Sequence, residues 1–520
     1  MLAIGVLQRG ALSSWAMSRE LIELLDEWKR RFDPATVADL EGLLAAAVSA
    51  KLTDPQDLIR LHETLLFLRA YPLSERVARL ADEILFVFEN RIPADLDPFE
   101  EPEVSGIAGT SLTAVYSYEV ARRLATLDPR HVEIGWDRYD EQDRLGPVVR
   151  KLLPMMQEDW PVEAHVPFPQ WIAAAHPRKQ SDLAWLLARV TEPDVFDSMQ
   201  VPLTWQMNSS RYSRSRLRLP VRKLYLHREP LLRRADVSLE QELAGEPVPL
   251  KRLARPQARP ILDAIVATST MRYRELYGFS HPDESGVYHA AAGRGIDIYF
   301  FGVPRQWRLP LRAYHAAMFF KNGVPAGYVE VLSLCERAEV GFNLYYTFRE
   351  GESAWLYARL LRLFHQVLGV TCFSVDPYQI GHENAEAVDS GAFWFYRKLG
   401  FRPTSPEVVR LVAREESRMQ KTPGYRSSKR TLEKLADGHL LYEISGTETG
   451  DWDRFSIRTL AQRLERGGSA EKRVIEEIAR VKRSGPESRY LRWMQRETFL
   501  RAQLVKWGTK SDGSANVLDT

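Results

Sequence analysis

The chain has 520 residues, 45% hydrophobic and 27% charged, a globular composition long enough for about three domains, which excludes a collagen, a mucin-like stalk and a wholly disordered chain. Lys plus Arg (71) nearly balances Asp plus Glu (69), a formal charge of +2, so no whole-chain field gives reason to expect a nucleic-acid partner. No stretch reaches the roughly 18 uninterrupted apolar residues of a membrane helix. Cys335 and Cys372 are too few for a disulfide framework or a multi-cysteine zinc site; they fit a reducing compartment, so a cytoplasmic placement is expected.

From Ser18 to about Arg91, apolar residues recur at three- and four-residue spacing. LIELLDEWKRRF, VADLEGLLAAAV, DLIRLHETLLFLRAY and SERVARLADEILFVFENR read as four amphipathic helices of a bundle. Asp33-Pro34 and Asp54-Pro55 each offer an N-cap followed by proline at the first helical position. The proline- and acid-rich IPADLDPFEEPEVSG reads as a linker, after which SLTAVYSYEVARRLATL is expected to resume the helical pattern. Residues 130–200 carry no single periodicity. Between Arg211 and Arg234, nine Lys or Arg residues in 24 are interleaved with apolar ones, a basic strand and loop that is either solvated or able to grip phosphate. RPILDAIVATSTMRYRELYG, Arg259 to Gly278, reads as a helix with a glycine stop.

From Gly295 the period changes to two. GIDIYFFGV, AYHAAMFFK, PAGYVEVLSL and AEVGFNLYYTF read as strands of an antiparallel meander, with Asn322-Gly323 as a two-residue hairpin turn. In the fourth strand Ala338, Val340, Phe342, Leu344, Tyr346 and Phe348 fall on one face, the core. Glu339, Gly341, Asn343, Tyr345 and Thr347 fall on the other, a candidate site wall. AWLYARLLRLFHQVLG is a helix ended by Gly369, VTCFSVDP a buried strand, YQIGHENAEAVDS a loop, and GAFWFYRKLGF a helix capped at Gly400. Strand, glycine-bearing turn, helix, strand, helix is the pattern of an α/β layer structure.

Residues 314–402 resemble the Gcn5-related (GNAT) acetyltransferase superfamily, and the likeness spans about 290–403. The hairpin KNGVPAGYVEVL, the turn FREGESA and the helix DSGAFWFYRKLGF carry it. Asp389, Ala392, Tyr396, Gly400 and Phe401 keep the spacing of that family's helix. The resemblance implies an α/β fold with a mixed sheet and acetyl-CoA or another acyl-CoA as co-substrate. It further implies transfer of the acyl group to an amine, with no metal. A strand running through a glycine-bearing turn into a helix start presents free backbone N–H groups, where the family seats coenzyme A's pyrophosphate. The family pattern is Gln or Arg, two residues, Gly, one residue, Gly or Ala. Here Phe348 takes the first place, Arg349 is displaced by one, Gly351 fits, Glu352 follows, Ser353 stands where the second small residue belongs, and Ala354 continues the helix. With Asp389, these are the candidate cofactor-binding residues. Tyr396 matches the family's general acid, and its ordinary pKa of about 10 keeps it protonated at neutral pH. Glu330, Glu339 and Asp376, on strands or at a strand end, are the candidate bases.

Beyond Pro403 the family finishes with two strands, whereas SPEVVRLVAREESRMQ and SSKRTLEKLADG read as helices before HLLYEI returns to strand. Four regions are thus expected: a helical bundle over 1–130, a mixed region over 131–255, the GNAT-like domain over 256–445 and a helical extension over 446–520. No Gly-x-x-x-x-Gly-Lys-Ser/Thr, His-Glu-x-x-His, Gly-x-Ser-x-Gly or Cys-x-x-Cys sequence occurs, which removes the usual signatures of nucleotide hydrolysis, zinc proteolysis and serine hydrolysis. Two other expectations stand beside N-acyl transfer. One is a GNAT-like module that binds without catalysing; the other is aminoacyl transfer from charged tRNA, held by Arg211–Arg234.

Overall fold

The computed structural model describes residues 14–93, 97–101, 103–153, 166–273, 276–304, 307, 313–334 and 336–446. The described residues fall into two compact units that interleave along the chain. One holds those up to Pro230 with Pro256–Ser280 and Phe320–Pro325; the other holds Leu231–Arg255, His281–Phe319 and those from Ala326 onward. The helices expected over 454–506 lie outside the described residues. No described helix is long and apolar enough to cross a membrane.

The first unit opens with α1 (Ser14–Trp28), α2 (Pro34–Ser49), α3 (Pro55–Ala70) and α4 (Glu75–Phe86). Asp33 accepts from the Thr36 amide and Asp54 from the Asp57 amide, each at 3.0 Å, and Pro34 and Pro55 hold the first helical turns. Both caps are thus as the sequence predicts. The expected helix from Ser111 is corrected: Ser111–Val115 forms β1, and only Tyr118–Leu127 (α5) is helical. Thr113 and Val115 are β-branched, and pairing with a strand much later in the chain decides their conformation. That partner is β3 (Pro202–Gln206), central between β1 and β2 (Val132–Ile134) in an antiparallel sheet. Short helices α6 (Gly146–Leu152), α7 (Phe168–Ala174), α8 (Asp182–Arg189) and α9 (Pro193–Met199) lie between β2 and β3 in the chain. They help close a core that includes Trp185, Leu186, Leu203 and Trp205.

No strand forms between Arg211 and Arg234, and three of its arginines meet carboxylates. Arg214 forks onto Glu63 at 2.8 and 2.9 Å, Arg216 reaches Glu89 at 2.7 Å and Arg218 reaches Asp82 at 2.5 Å. Glu63 also accepts from His62, whose other ring nitrogen meets the Ser215 hydroxyl at 2.9 Å. Arg214, Arg216 and Arg218 thus fasten this stretch within the first unit.

After Pro230 come α10 (Leu239–Leu243) and β4 (Leu250–Arg252) of the second unit. The first unit then regains α11 (Arg255–Tyr273) and α12 (Tyr277–Ser280). The expected 259–278 helix thus starts earlier, because Pro256 suits a first turn, and ends at Tyr273, with Gly278 inside α12. The strands that follow are β5 (Tyr288–Gly293), β6 (Ile296–Phe301), β7 (Ala313–Lys321), β8 (Val324–Leu334) and β9 (Arg337–Leu344). The remaining elements are α13 (Ser353–Leu368), β10 (Cys372–Val375), α14 (Pro377–Ile380), α15 (Ala385–Ser390), α16 (Ala392–Lys398), β11 (Arg402–Pro403), α17 (Pro406–Lys421), α18 (Lys429–Leu435) and β12 (Leu440–Glu443).

Nine strands form one mixed sheet in the order β11-β12-β10-β9-β8-β7-β6-β5-β4. β8 and β9 are antiparallel, β9 and β10 are parallel and joined through α13, and β12 returns antiparallel between β10 and β11. Asn322 and Gly323 take φ of 49° and 81° in the β7–β8 turn, the positive pair a type I′ turn needs. Three sequence expectations are corrected. The fourth strand stops at Leu344, where Tyr346–Phe348 turns into a 3₁₀ helix and leaves Tyr346 56% exposed. The expected loop after β10 contains α14 and α15. Finally, the helix preceding Gly400 is interrupted at Gly391, which has φ 67°.

Candidate functional site

Sheet register assembles a polar cluster on one face of the second unit. β10 runs parallel to β9 with Ser374 opposite Glu339, so the two side chains share a face, and Asp376 lies two residues on, on that same face. β12 pairs with β10 so that Val375 faces Leu440; the next position brings His439 against Asp376. The imidazole Nε2 of His439 stands 3.6 Å from Glu339 Oε2 and 3.8 Å from Asp376 Oδ2. Glu339 is buried, and His439 and Asp376 are partly so. Asp376 is fixed because its Oδ1 caps α14, accepting from the Tyr378 amide at 2.9 Å. The backbone of His439 is held at its carbonyl, which accepts from the Thr404 amide at 3.0 Å and the Thr404 hydroxyl at 3.1 Å. Arg337, buried two residues before Glu339, donates to the Ser374 hydroxyl at 3.0 Å.

Of the three carboxylates proposed as bases, Glu339 and Asp376 therefore meet and Glu330 does not join the contact. Glu330 lies opposite Gly341 on β8, where the Tyr314 hydroxyl donates to it. His439 escaped the sequence reading because nothing near it repeats a motif. Its only local signal is its place as the first residue of HLLYEI, immediately before β12 and after Gly438 at φ 104°.

The start of α13 is compact. Gly351 N–H bonds the Phe348 carbonyl at 2.9 Å, Phe348 is buried, and Arg349 pairs outward with Glu386. Glu352, 3% exposed, is turned away from the helix axis by Arg294, whose Nε donates at 3.0 Å, and by the Leu232 amide at 3.2 Å. Its charge is thus neutralised, and the first-turn N–H groups at Ser353 and Ala354 remain the part of this turn suited to an anion. Asp389 is 67% exposed, pairing with Lys429 at 3.2 Å at the far end of α15. No contact brings it to the α13 start among the described residues.

Tyr396 belongs to the other face. Its ring packs edge-on against Tyr357 of α13 at 5.4 Å, Phe395 at 5.1 Å and Phe401 at 5.8 Å, and Tyr357 in turn packs on Phe342 of β9 at 5.1 Å. Phe342 and Glu339 alternate in opposite directions. Tyr396 is 4% exposed, and burial pushes its pKa above the ordinary tyrosine value, so the phenol keeps its proton. Burial likewise raises Tyr357, helped by the nearby Tyr396.

Between the two faces the parallel strands part. β9 and β10 pair only at Arg337–Cys372, Ala338–Phe373 and Glu339–Ser374, while β9 continues to Leu344 along β8. The β10-facing edge of Val340–Leu344 is left without β10 as a partner. Compared with protein-family models, curated proteins and solved structures, the chain matches none.

Proposed function

We propose that the second unit is a GNAT-like N-acyltransferase that moves an acyl group from acyl-CoA to an amine. The observation that carries this is the parting of β9 from β10 after Glu339–Ser374, with proton-accepting groups on one face and a proton-bearing tyrosine on the other. Beyond Pro403 one strand, β12, follows α17 and α18 among the described residues, so the two closing strands the resemblance implies are matched only in part.

Unpaired strand edge suits the amides of an extended pantetheine arm, which can bond as an added strand would. The first turn of α13 receives the pyrophosphate, with Gly351 allowing close approach and Arg294 cancelling the charge of Glu352. The amine nitrogen attacks the thioester carbonyl carbon, and its proton passes to the Glu339–Asp376–His439 cluster. The carbon–sulfur bond then breaks, and Tyr396 returns a proton to the departing thiolate. Enclosure of Tyr396 keeps that proton on the phenol until the departing thiolate is beside it to take it.

The second reading, a binding module without turnover, is favoured by one observation, the tight aromatic packing around Tyr396. Incubating the purified protein with acetyl-CoA and a mixed panel of primary amines, and following free thiol release, separates the two. Amine-dependent release supports transfer. Saturable acetyl-CoA binding with no release above the amine-free control supports the module.

A further inference from the structure

His439 faces two carboxylates without bonding either. Its Nε2 is closed off from solvent and has no hydrogen-bond partner among the described residues, although Glu339 Oε2 and Asp376 Oδ2 stand 3.6 and 3.8 Å away. A charge-assisted N–H to carboxylate bond closes to about 2.7–2.9 Å, so these gaps are too wide for one. They approach the spacing of donors around a small cation: with metal–ligand bonds of about 2.0–2.2 Å, tetrahedral geometry sets donors roughly 3.3–3.6 Å apart. All three donor atoms lie within 4.8 Å of one another. We propose that Glu339, Asp376 and His439 form a binding site for one divalent transition-metal cation of the zinc type, with a fourth position open.

One ligand is already oriented by another bond, and the backbone that carries a second is held in place. The Asp376 Oδ1 is occupied by the Tyr378 amide at 2.9 Å, which turns Oδ2 inward. The His439 backbone is held by Thr404 at 3.0 and 3.1 Å. An outer bond such as that of the Tyr378 amide to the Asp376 carboxylate fixes ligand direction in metal sites. One imidazole nitrogen with two carboxylate oxygens suits zinc and its neighbours; calcium seeks six to eight oxygens, and magnesium an octahedron with several waters. Binding here does not depend on acyl transfer. It does bear on it, because a cation on these atoms occupies the groups that would take the amine's proton, so zinc is an inhibitor of the proposed reaction.

The test uses the full chain, stripped with a chelator and titrated with zinc by calorimetry, with cobalt(II) as a spectroscopic probe. Wild type is expected to bind one equivalent that His439→Ala and Asp376→Asn each weaken on the order of 10²-fold, and to give a four-coordinate cobalt absorption that both variants lose. Asp376→Asn retains an Oδ1 acceptor for the α14 cap, so its fold is preserved, and circular dichroism checks this. Absence of a wild-type equivalent, or zinc binding unchanged in both variants, overturns the site. Zinc binding in a protein that ignores acetyl-CoA leaves the cation site standing and removes the acyltransferase.

Discussion

His439 stands 3.6 Å from Glu339, and the two meet across β10 only because β12 returns to pair with that strand. The pairing of Val375 with Leu440 therefore sets which face of the sheet His439 takes. A slip by one residue would turn His439 to the face that holds Phe342 and Tyr357, and would dismantle the cluster without unfolding the sheet.

Removal of one oxygen tests the acid. Tyr396→Phe keeps the ring that packs on Tyr357, Phe395 and Phe401. Acetyl-CoA affinity should hold and stability should change by no more than about 1 kcal/mol, while turnover falls roughly 10²-fold or somewhat more. Steady-state thiol release and a thermal melt read the two effects. Turnover per folded molecule that matches wild type would make Tyr396 a packing residue.

Acid should loosen the first unit through His62. Burial, only partly offset by Glu63, pushes its pKa from 6.5 down to about 4. The unfolded chain therefore binds a proton that the folded chain refuses between those values. Stability is full above pH 6.5, declines as pH falls toward 4, and flattens below, a loss of up to about 3 kcal/mol. Urea unfolding at pH 7 and pH 4.5 should show the decline, and His62→Gln, which has no titrating ring, should show a shallower one. Equal pH slopes in the two proteins would refute the assignment.

Two glycines with similar backbone angles should respond differently to alanine. Gly293, φ 91°, has nothing within 4 Å of an added Cβ, whereas at Gly323, φ 81°, the Cβ would fall 2.1 Å from the Leu219 carbonyl oxygen. Gly293→Ala should cost about 1–2 kcal/mol from the left-handed backbone alone. Gly323→Ala should cost clearly more, because the β7–β8 turn must also move away from Leu219. Differential scanning calorimetry checks the order of the two melting temperatures.

Local chemistry was legible wherever it acts through neighbours in the chain. Asp33 and Asp54 with their prolines, the Asn322-Gly323 turn and the helix ended by Gly369 at φ 66° each state their conformation within four residues. Elements decided at a distance were not. Ser111–Val115 looks helical until β3 claims it, and β9 carries an alternating pattern past Leu344 although the backbone turns there. The same division runs through the site: Glu339 and Asp376 stood out as strand carboxylates, but their common face with His439 exists only in the β9-β10-β12 pairing.

The central claim is most directly tested by calorimetric titration of the full chain with acetyl-CoA, with Gly351→Asp in parallel. Wild type should bind one equivalent with Kd within roughly 1 μM to 1 mM. The variant, which sets a side chain and a negative charge at the start of α13, should bind at least about 10-fold more weakly with little change in melting temperature. Folded wild-type protein that shows no acetyl-CoA binding, or a folded variant that binds as wild type does, would contradict it.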